Sequence, residues 1–153
     1  MKPISSILLF ICLISLSSCS KHYPIISMNE LIINAPMPCK CSNSDQLVIA
    51  SAQTAYYCDV TVNGVLFTVA SIDKGRISYI STSDPAFVTP EGIGVDSTLE
   101  ELKRQYGPIS EETGWAYFYV LPSGWCASFP ISPLAGIREP SGNAKVSWLF
   151  KRE

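Results

Sequence analysis

Two β-rich runs joined by Asn63-Gly64 constrain the fold of this 153-residue chain more than any other feature. The runs cover residues 55–62 and 65–72. Asn and Gly both accept the positive φ angles of a type I′ turn, which is the tightest connection between antiparallel strands. A second turn at residues 73–75 leads into residues 76–82, where apolar and polar side chains alternate. The sequence therefore predicts an antiparallel three-stranded meander.

One main α-helix is predicted over residues 97–106. Asp96 or Ser97 can cap its start, and Ser97 followed by Glu100 fits a capping box. Gly107, followed by proline, is typical of a helix end. The apolar positions share one face, as expected for a helix that packs on a sheet: Leu99, Leu102 and Tyr106.

Three further strands are predicted after the helix, over residues 115–121, 125–131 and 145–151. Residues 122–124 form a turn between the first two. Strands, one helix and strands again, in that order along the chain, predict an α+β domain. We expect its sheet to be antiparallel, composed of the meander and the C-terminal strands.

The N-terminal residues have the pattern of an export signal. Met1 and Lys2 are followed by an apolar run over residues 4–16, which is shorter than the roughly 20 residues that a membrane-spanning helix needs. The run ends in Leu16-Ser17-Ser18-Cys19, which resembles the lipobox of bacterial lipoproteins. That resemblance implies a signal peptide at 1–18 and a lipidated Cys19. From the length and pattern of the remaining chain we predict a tether over 19–28 and one globular domain at 29–153.

The resemblance also implies a location. A multiply acylated cysteine binds a membrane firmly, since stable anchoring needs about two lipid chains. In lipoproteins, Asp after the lipidated cysteine favours retention at the inner membrane, and this chain has Ser20 there. We therefore expect an extracytoplasmic lipoprotein, at the outer membrane and facing the periplasm.

Four cysteines follow the anchor: Cys39, Cys41, Cys58 and Cys126. In an exported domain, an even number of cysteines predicts disulfides that staple the fold. A Cys39–Cys41 bond would close a strained ring. Two arrangements then stay open, Cys39–Cys58 with Cys41–Cys126 and Cys41–Cys58 with Cys39–Cys126. A four-sulfur metal site is disfavoured because the Cys-x-Cys spacing differs from the usual Cys-x₂-Cys, and no metal is predicted.

Charge and residue types exclude several functions. The formal net charge is −2 without a cluster of Lys or Arg, so nucleic acid is not an expected partner. His22, the single histidine, lies on the tether, which disfavours histidine-based catalysis. No cofactor motif occurs, and we expect no enzyme. The alternative is a carboxylate-based cell-wall hydrolase that uses pairs such as Glu100-Glu101 and Glu111-Glu112.

Aromatic side chains are concentrated between residues 115 and 125. Trp115, Tyr117 and Tyr119 would share one strand face, and Trp125 follows a turn, where side chains are often exposed. Aromatic residues are favoured anchors of protein interfaces. The hypothesis is a partner-binding patch of Trp125 with Trp115 or Tyr117; the alternative assigns one face to the core and the other to the underside of a loop.

Residues 94–108, a glycine, a capped helix and Gly-Pro, resemble small outer-membrane lipoproteins related to the barrel-assembly component BamE and to β-lactamase inhibitor protein. Tyr57-Cys58-Asp59 resembles a stretch of membrane-bound lysozyme inhibitors. These resemblances imply a role through protein contacts. We therefore expect a protein-binding or assembly lipoprotein whose partners are the membrane and another envelope protein. An inhibitor or immunity-type lipoprotein is the alternative form of this role.

Overall fold

The computed structural model describes residues 23–40, 46–73, 75–131 and 139–153. These residues form one eight-stranded sheet, one α-helix and a short 3-10 helix at Met28–Glu30. The strands are β1 (Gln46–Ala50), β2 (Gln53–Val62), β3 (Val65–Ser71), β4 (Tyr79–Thr82), β5 (Ser110–Glu112), β6 (Ala116–Val120), β7 (Cys126–Pro130) and β8 (Trp148–Arg152), and the helix is α1 (Leu99–Tyr106). The predicted combination of a sheet with one helix is confirmed, and the sheet dominates.

The hairpin predicted at Asn63-Gly64 is confirmed. β2 and β3 pair from Tyr56 opposite Ser71 to Val62 opposite Val65. Asn63 and Gly64 have φ angles of 50° and 84°, which are the left-handed values of a type I′ turn. β4 completes the meander by pairing with β3.

The sheet order is β1-β2-β3-β4-β8-β7-β6-β5, and each neighbouring pair is antiparallel. β8 lies between β4 and β7, with Phe150 opposite Ser81 on one side and opposite Cys126 on the other. The C-terminal strand therefore joins the meander to the strands that follow the helix.

The helix begins two residues later than predicted. Thr98 is its N-cap, and Thr98 and Glu101 form the capping box in place of Ser97 and Glu100. The reason is tertiary: the carbonyl of Ser97 accepts a hydrogen bond from the amide of Val146, at 2.9 Å, and Thr98, in extended backbone, forms a β-bridge with Lys145, so both residues stay outside the helix. The predicted C-terminal glycine is confirmed, since Gly107 has a φ angle of 82°.

The two faces of the sheet carry separate apolar clusters. The first face, which includes Phe67 and Leu149, is covered by α1, by the N-terminal segment at residues 26–37 and by a loop containing Phe87. The second face, which includes Ala70 and Phe150, carries a smaller cluster with aromatic residues at its margin. Strand alternation places each side chain on one face or the other.

The two edges of the sheet meet across the second face. The amide of Ser51, just after β1, donates a hydrogen bond of 2.6 Å to Glu112 of β5. The indole of Trp115 donates one of 3.4 Å to the carbonyl of Val48. The sheet therefore curls until its first and last strands touch, which leaves the rest of the second face as an open groove.

Only part of the predicted disulfide framework is confirmed. Cys39 is bonded to Cys58, with Cα atoms 6.4 Å apart, which excludes the Cys39–Cys126 alternative. The prediction that Cys126 forms a disulfide is wrong, since its thiol is free and buried. Cys58 packs against the first-face cluster, whereas Cys126 belongs to the second-face cluster, so the sheet separates them. Cys41 lies outside the described residues, as does Cys19.

The N-terminal segment pairs with β2 within residues 24–26. The amide of Thr61 donates a hydrogen bond of 2.8 Å to the carbonyl of Pro24, and the amide of Ile26 donates one of 3.0 Å to the carbonyl of Thr61. Both bonds lie within the predicted tether, residues 19–28, so the described part of that segment is already fixed to the sheet.

Candidate functional site

The structure corrects the predicted aromatic patch. Trp125 is only 8% exposed and Tyr117 only 5%, and both belong to the first-face core. Trp115 is half-buried and packs on the second face, with its ring centroid 5.1 Å from that of Phe150. The three side chains lie on opposite faces of the sheet and do not form one exposed surface. Trp125 is buried because the ring of Phe87 covers it, at a centroid distance of 4.8 Å.

Arg152 closes one end of the second face. Its guanidinium donates a hydrogen bond of 2.5 Å to Glu112 and a second one, of 3.4 Å, to the carbonyl of Ile49. The same group lies over three aromatic rings, at 5.0 to 5.6 Å from their centroids: Trp115, Phe118 and Phe150. The hydrogen bond from Arg152 holds the pKa of Glu112 below its ordinary value. Arg152 lies on β8 in the middle of the sheet, and its two hydrogen bonds connect it to both edge strands, β5 through Glu112 and β1 through Ile49.

The rest of the second face is open and forms the candidate binding surface. A depression of about 310 Å³ lies between β3, β4 and β8. We call this surface the second-face groove. Its depression is lined by Leu66, Thr68, Ser81 and half-buried Trp148. The groove also includes two side chains of β6, Phe118 and Val120. Val120 is 61% exposed and Leu66 38%. Aromatic side chains such as Trp148 and Phe118 are enriched in protein interfaces relative to the rest of the surface.

Ser128 lies beneath this groove. It is fully buried between Trp148 and Phe118 in the strand register, and its hydroxyl has no hydrogen-bond partner. A buried hydroxyl without a partner lowers stability.

The carboxylates next to the helix take part in structural hydrogen bonds. Glu91 accepts bonds of 2.5 Å and 2.9 Å from the amide and hydroxyl of Ser123. Burial opposes ionisation of Glu91, but these bonds outweigh it and hold its pKa below the ordinary value. The pKa of Glu101 is lowered by the backbone and side-chain hydrogen bonds from Thr98. Both carboxylates line a depression of about 500 Å³ beside α1, so its acidic groups are already engaged.

The adjacent carboxylate pairs proposed for a hydrolase are divided between different contacts. Glu101 caps α1, while Glu100 lies 3.9 Å from Arg104 on the exposed side. Glu112 pairs with Arg152. Its neighbour Glu111, also on β5, lies opposite Tyr117 of β6. Several carboxyl groups of the described residues have a pKa that departs from the ordinary value, and in every one of them the pKa is lowered. A general acid for hydrolysis needs the opposite shift.

A second surface, on the other side of the sheet, was not predicted from the sequence. A depression of about 470 Å³ has buried Leu31, Phe87 and Trp125 at its floor. Three exposed apolar side chains line its rim, and we call them the N-terminal patch: Met28 (49% exposed), Ile32 (54%) and Val88 (53%). Lys151 also lines the depression, with its ammonium 5.4 Å from the centroid of the Trp125 ring. The signal available in the sequence was weak, since Val88 and Lys151 are far along the chain from Met28 and Ile32.

The described residues contain no group of three or more side chains that could hold a metal ion. None of the helices found in residues 23–40, 46–73, 75–131 and 139–153 is long and apolar enough to span a membrane.

Comparisons with known proteins give little further information. No protein-family model matches the chain, and no curated protein matches it. Among solved structures it is similar to the uncharacterized protein yfeY from Escherichia coli, with 16% sequence identity and a TM-score of 0.48. The match covers 71% of this chain and 79% of that chain.

Proposed function

We propose that this protein is a lipid-anchored envelope lipoprotein that works as a protein-binding or assembly module. The observation that supports the binding role is the second-face groove, where exposed Val120 and half-buried Trp148 and Phe118 lie beside a depression lined with hydroxyls. The groove offers contact area without a convergent acid–base pair. An inhibitor or immunity protein is a specific form of this role.

Two observations support the location. The sequence Leu16-Ser17-Ser18-Cys19 has the residue types of a lipobox. The Cys39–Cys58 disulfide is of the kind that persists in an oxidising compartment and is rare in the cytosol. Both are expected of a domain that works outside the cytoplasm, at the outer membrane and facing the periplasm where the host has one.

The anchor requires two covalent steps at Cys19. Its sulfur forms a thioether with the diacylglycerol of a phospholipid, and the phosphate headgroup leaves with the thiol proton. Water then hydrolyses the peptide bond between Ser18 and Cys19, which frees the new N-terminus. Acylation of that amine adds a further chain, and anchoring by more than one chain is stable.

The location is tested by C19S in the full chain. The wild-type protein should sediment with membranes and carry the mass of the lipid on its N-terminal peptide. C19S should lose that mass and keep the uncleaved signal peptide. Identical processing of both forms would contradict the lipoprotein proposal.

The binding role is tested by photo-crosslinking from the groove in intact cells. A photoreactive residue at Val120, 61% exposed in the groove, should give one discrete adduct with an envelope protein. Val48 is the matched control, because it is also an exposed valine (54%) but lies on β1 outside the groove. Adducts of equal yield from both positions, or none from Val120, would refute a binding role for the groove.

A further inference from the structure

The N-terminal patch is an unusual feature of the first side of the sheet. Met28, Ile32 and Val88 are each about half exposed and line one depression, although apolar side chains of this size are normally buried. Ile25, three residues before Met28, is 77% exposed. A cluster of exposed apolar groups on one surface indicates a contact with a partner or a membrane.

The position of the patch along the chain limits what can cover it. Tyr23 is four residues after Cys19, and four residues span at most about 14 Å when fully extended. From Pro24 onward the chain is fixed to β2 through Thr61. A lipid on Cys19 therefore keeps the segment that carries Met28 and Ile32 close to the surface of the bilayer.

We infer that the N-terminal patch lies on the lipid bilayer that holds the Cys19 anchor, an inference that rests on the proposed lipidation. The chemistry around the patch fits the membrane interface. Lys151 lines the same depression and can approach anionic headgroups. In the sequence, Lys21 and Tyr23 precede the segment that carries Met28 and Ile32. Tyrosine and lysine beside exposed aliphatic groups are typical of segments that lie in the interface.

This contact would give the domain one orientation on the membrane. The patch lies on the side of the sheet that α1 and the N-terminal segment cover, whereas the second-face groove opens from the other face. Contact of the patch with lipid therefore leaves the groove free for a protein partner.

The test compares two substitutions in the full lipidated protein. V88W places an indole in the patch, and V48W places one at a valine of equal exposure on β1, 53% and 54% respectively. Each variant is reconstituted into vesicles of phosphatidylethanolamine and phosphatidylglycerol whose acyl chains carry bromine. The measured quantity is the tryptophan fluorescence of each variant minus that of wild type. It is recorded in the brominated vesicles, in vesicles without bromine, and in vesicles without bromine after iodide is added to the solution.

Bromine should quench the emission added by V88W about twofold or more and that added by V48W little, because interfacial groups lie roughly 5–10 Å into the headgroup and acyl boundary. Quenching of V88W by iodide and not by bromine places the patch in water and overturns the inference. Quenching by neither places it against a protein, including a second copy, and also overturns it. The mass of lipid on Cys19, read from the same samples, shows separately whether the proposed anchor itself is absent.

Discussion

The Cys39–Cys58 disulfide gives the sharpest prediction about stability. Replacing both residues with serine should lower the free energy of unfolding by about 3 kcal/mol, because bridging two residues separated by 19 positions removes that much loop entropy from the unfolded chain. An unfolding entropy of about 2.1 cal/mol/K per residue, over roughly 130 residues, converts this loss into a fall in Tm of about 10 °C.

The assay is urea unfolding followed by tryptophan fluorescence, with and without reductant. Wild type in reductant should match the C39S/C58S variant, and reductant should leave that variant unchanged. Alkylation of native protein should spare Cys126, because its thiol is 7% exposed and burial raises its pKa to about 11. Full alkylation should require denaturant.

Two results would refute this reasoning. If the double variant still loses stability in reductant, another disulfide contributes, which would return Cys126 to the disulfide framework. If the loss for the double variant is below about 0.5 kcal/mol, the N-terminal segment is held by its packing and hydrogen bonds, and the bond adds nothing.

Three smaller predictions follow from single contacts. Thr98→Ala should destabilise the domain by about 1 kcal/mol, and more than Ser97→Ala, since Thr98 caps α1; urea unfolding of both variants checks this. Ser128→Ala should raise stability by about 1 kcal/mol, because it removes a buried hydroxyl that has no partner; an unchanged or lower urea midpoint would contradict it. Because the folded state lowers the pKa of Glu112, the ionised carboxylate stabilises the fold. This stabilisation is complete at pH values above the ordinary pKa of 4.5 and is lost as the pH falls through the lower pKa of the folded state. In Glu112→Gln that part of the acid transition should be missing, and the Tm at neutral pH should fall because the bond from Arg152 weakens.

Local signals were sufficient for the hairpin and nearly so for the helix. Asn63-Gly64 determines its turn through the φ preferences of two residues. At the helix start the sequence pattern predicted a capping box beginning at Ser97, whereas the structure has one beginning at Thr98. The choice between them depends on Val146, almost fifty residues later, whose amide binds the carbonyl of Ser97. A sequence pattern does not contain that contact.

The edge strand β5 could not be predicted for the same reason. β5 is the polar triplet Ser110–Glu112, without the β-branched or aromatic side chains that favour strands. It is held by its pairing with β6 and by the contacts of Glu112 with Ser51 and Arg152 across the sheet. Such a strand exists because the sheet curls, which is a property of all eight strands together.

The predicted site failed where exposure was inferred from local position. Trp125 follows a turn, yet Phe87 and Phe67 bury it from a distant part of the chain. Cys126, the next residue, faces the other side of the sheet, away from Cys39 and Cys58. Strand alternation gives the relative faces within one strand, but the sheet order decides which faces of different strands coincide. That order required β8 between β4 and β7.

The disulfide and the N-terminal patch are parts of one arrangement. Cys39 lies at the end of the same segment that carries Met28 and Ile32, so the bond to Cys58 and the pairing of Pro24 with Thr61 fix both ends of that segment on β2. Release of one end should loosen the patch while Val88, on a separate loop, keeps its place. Bromine quenching of a tryptophan at Ile32 should therefore fall in the C39S/C58S background, and that of V88W should fall less. Equal losses at both positions would mean that the whole domain moves away from the bilayer, and that the disulfide does not act through the segment.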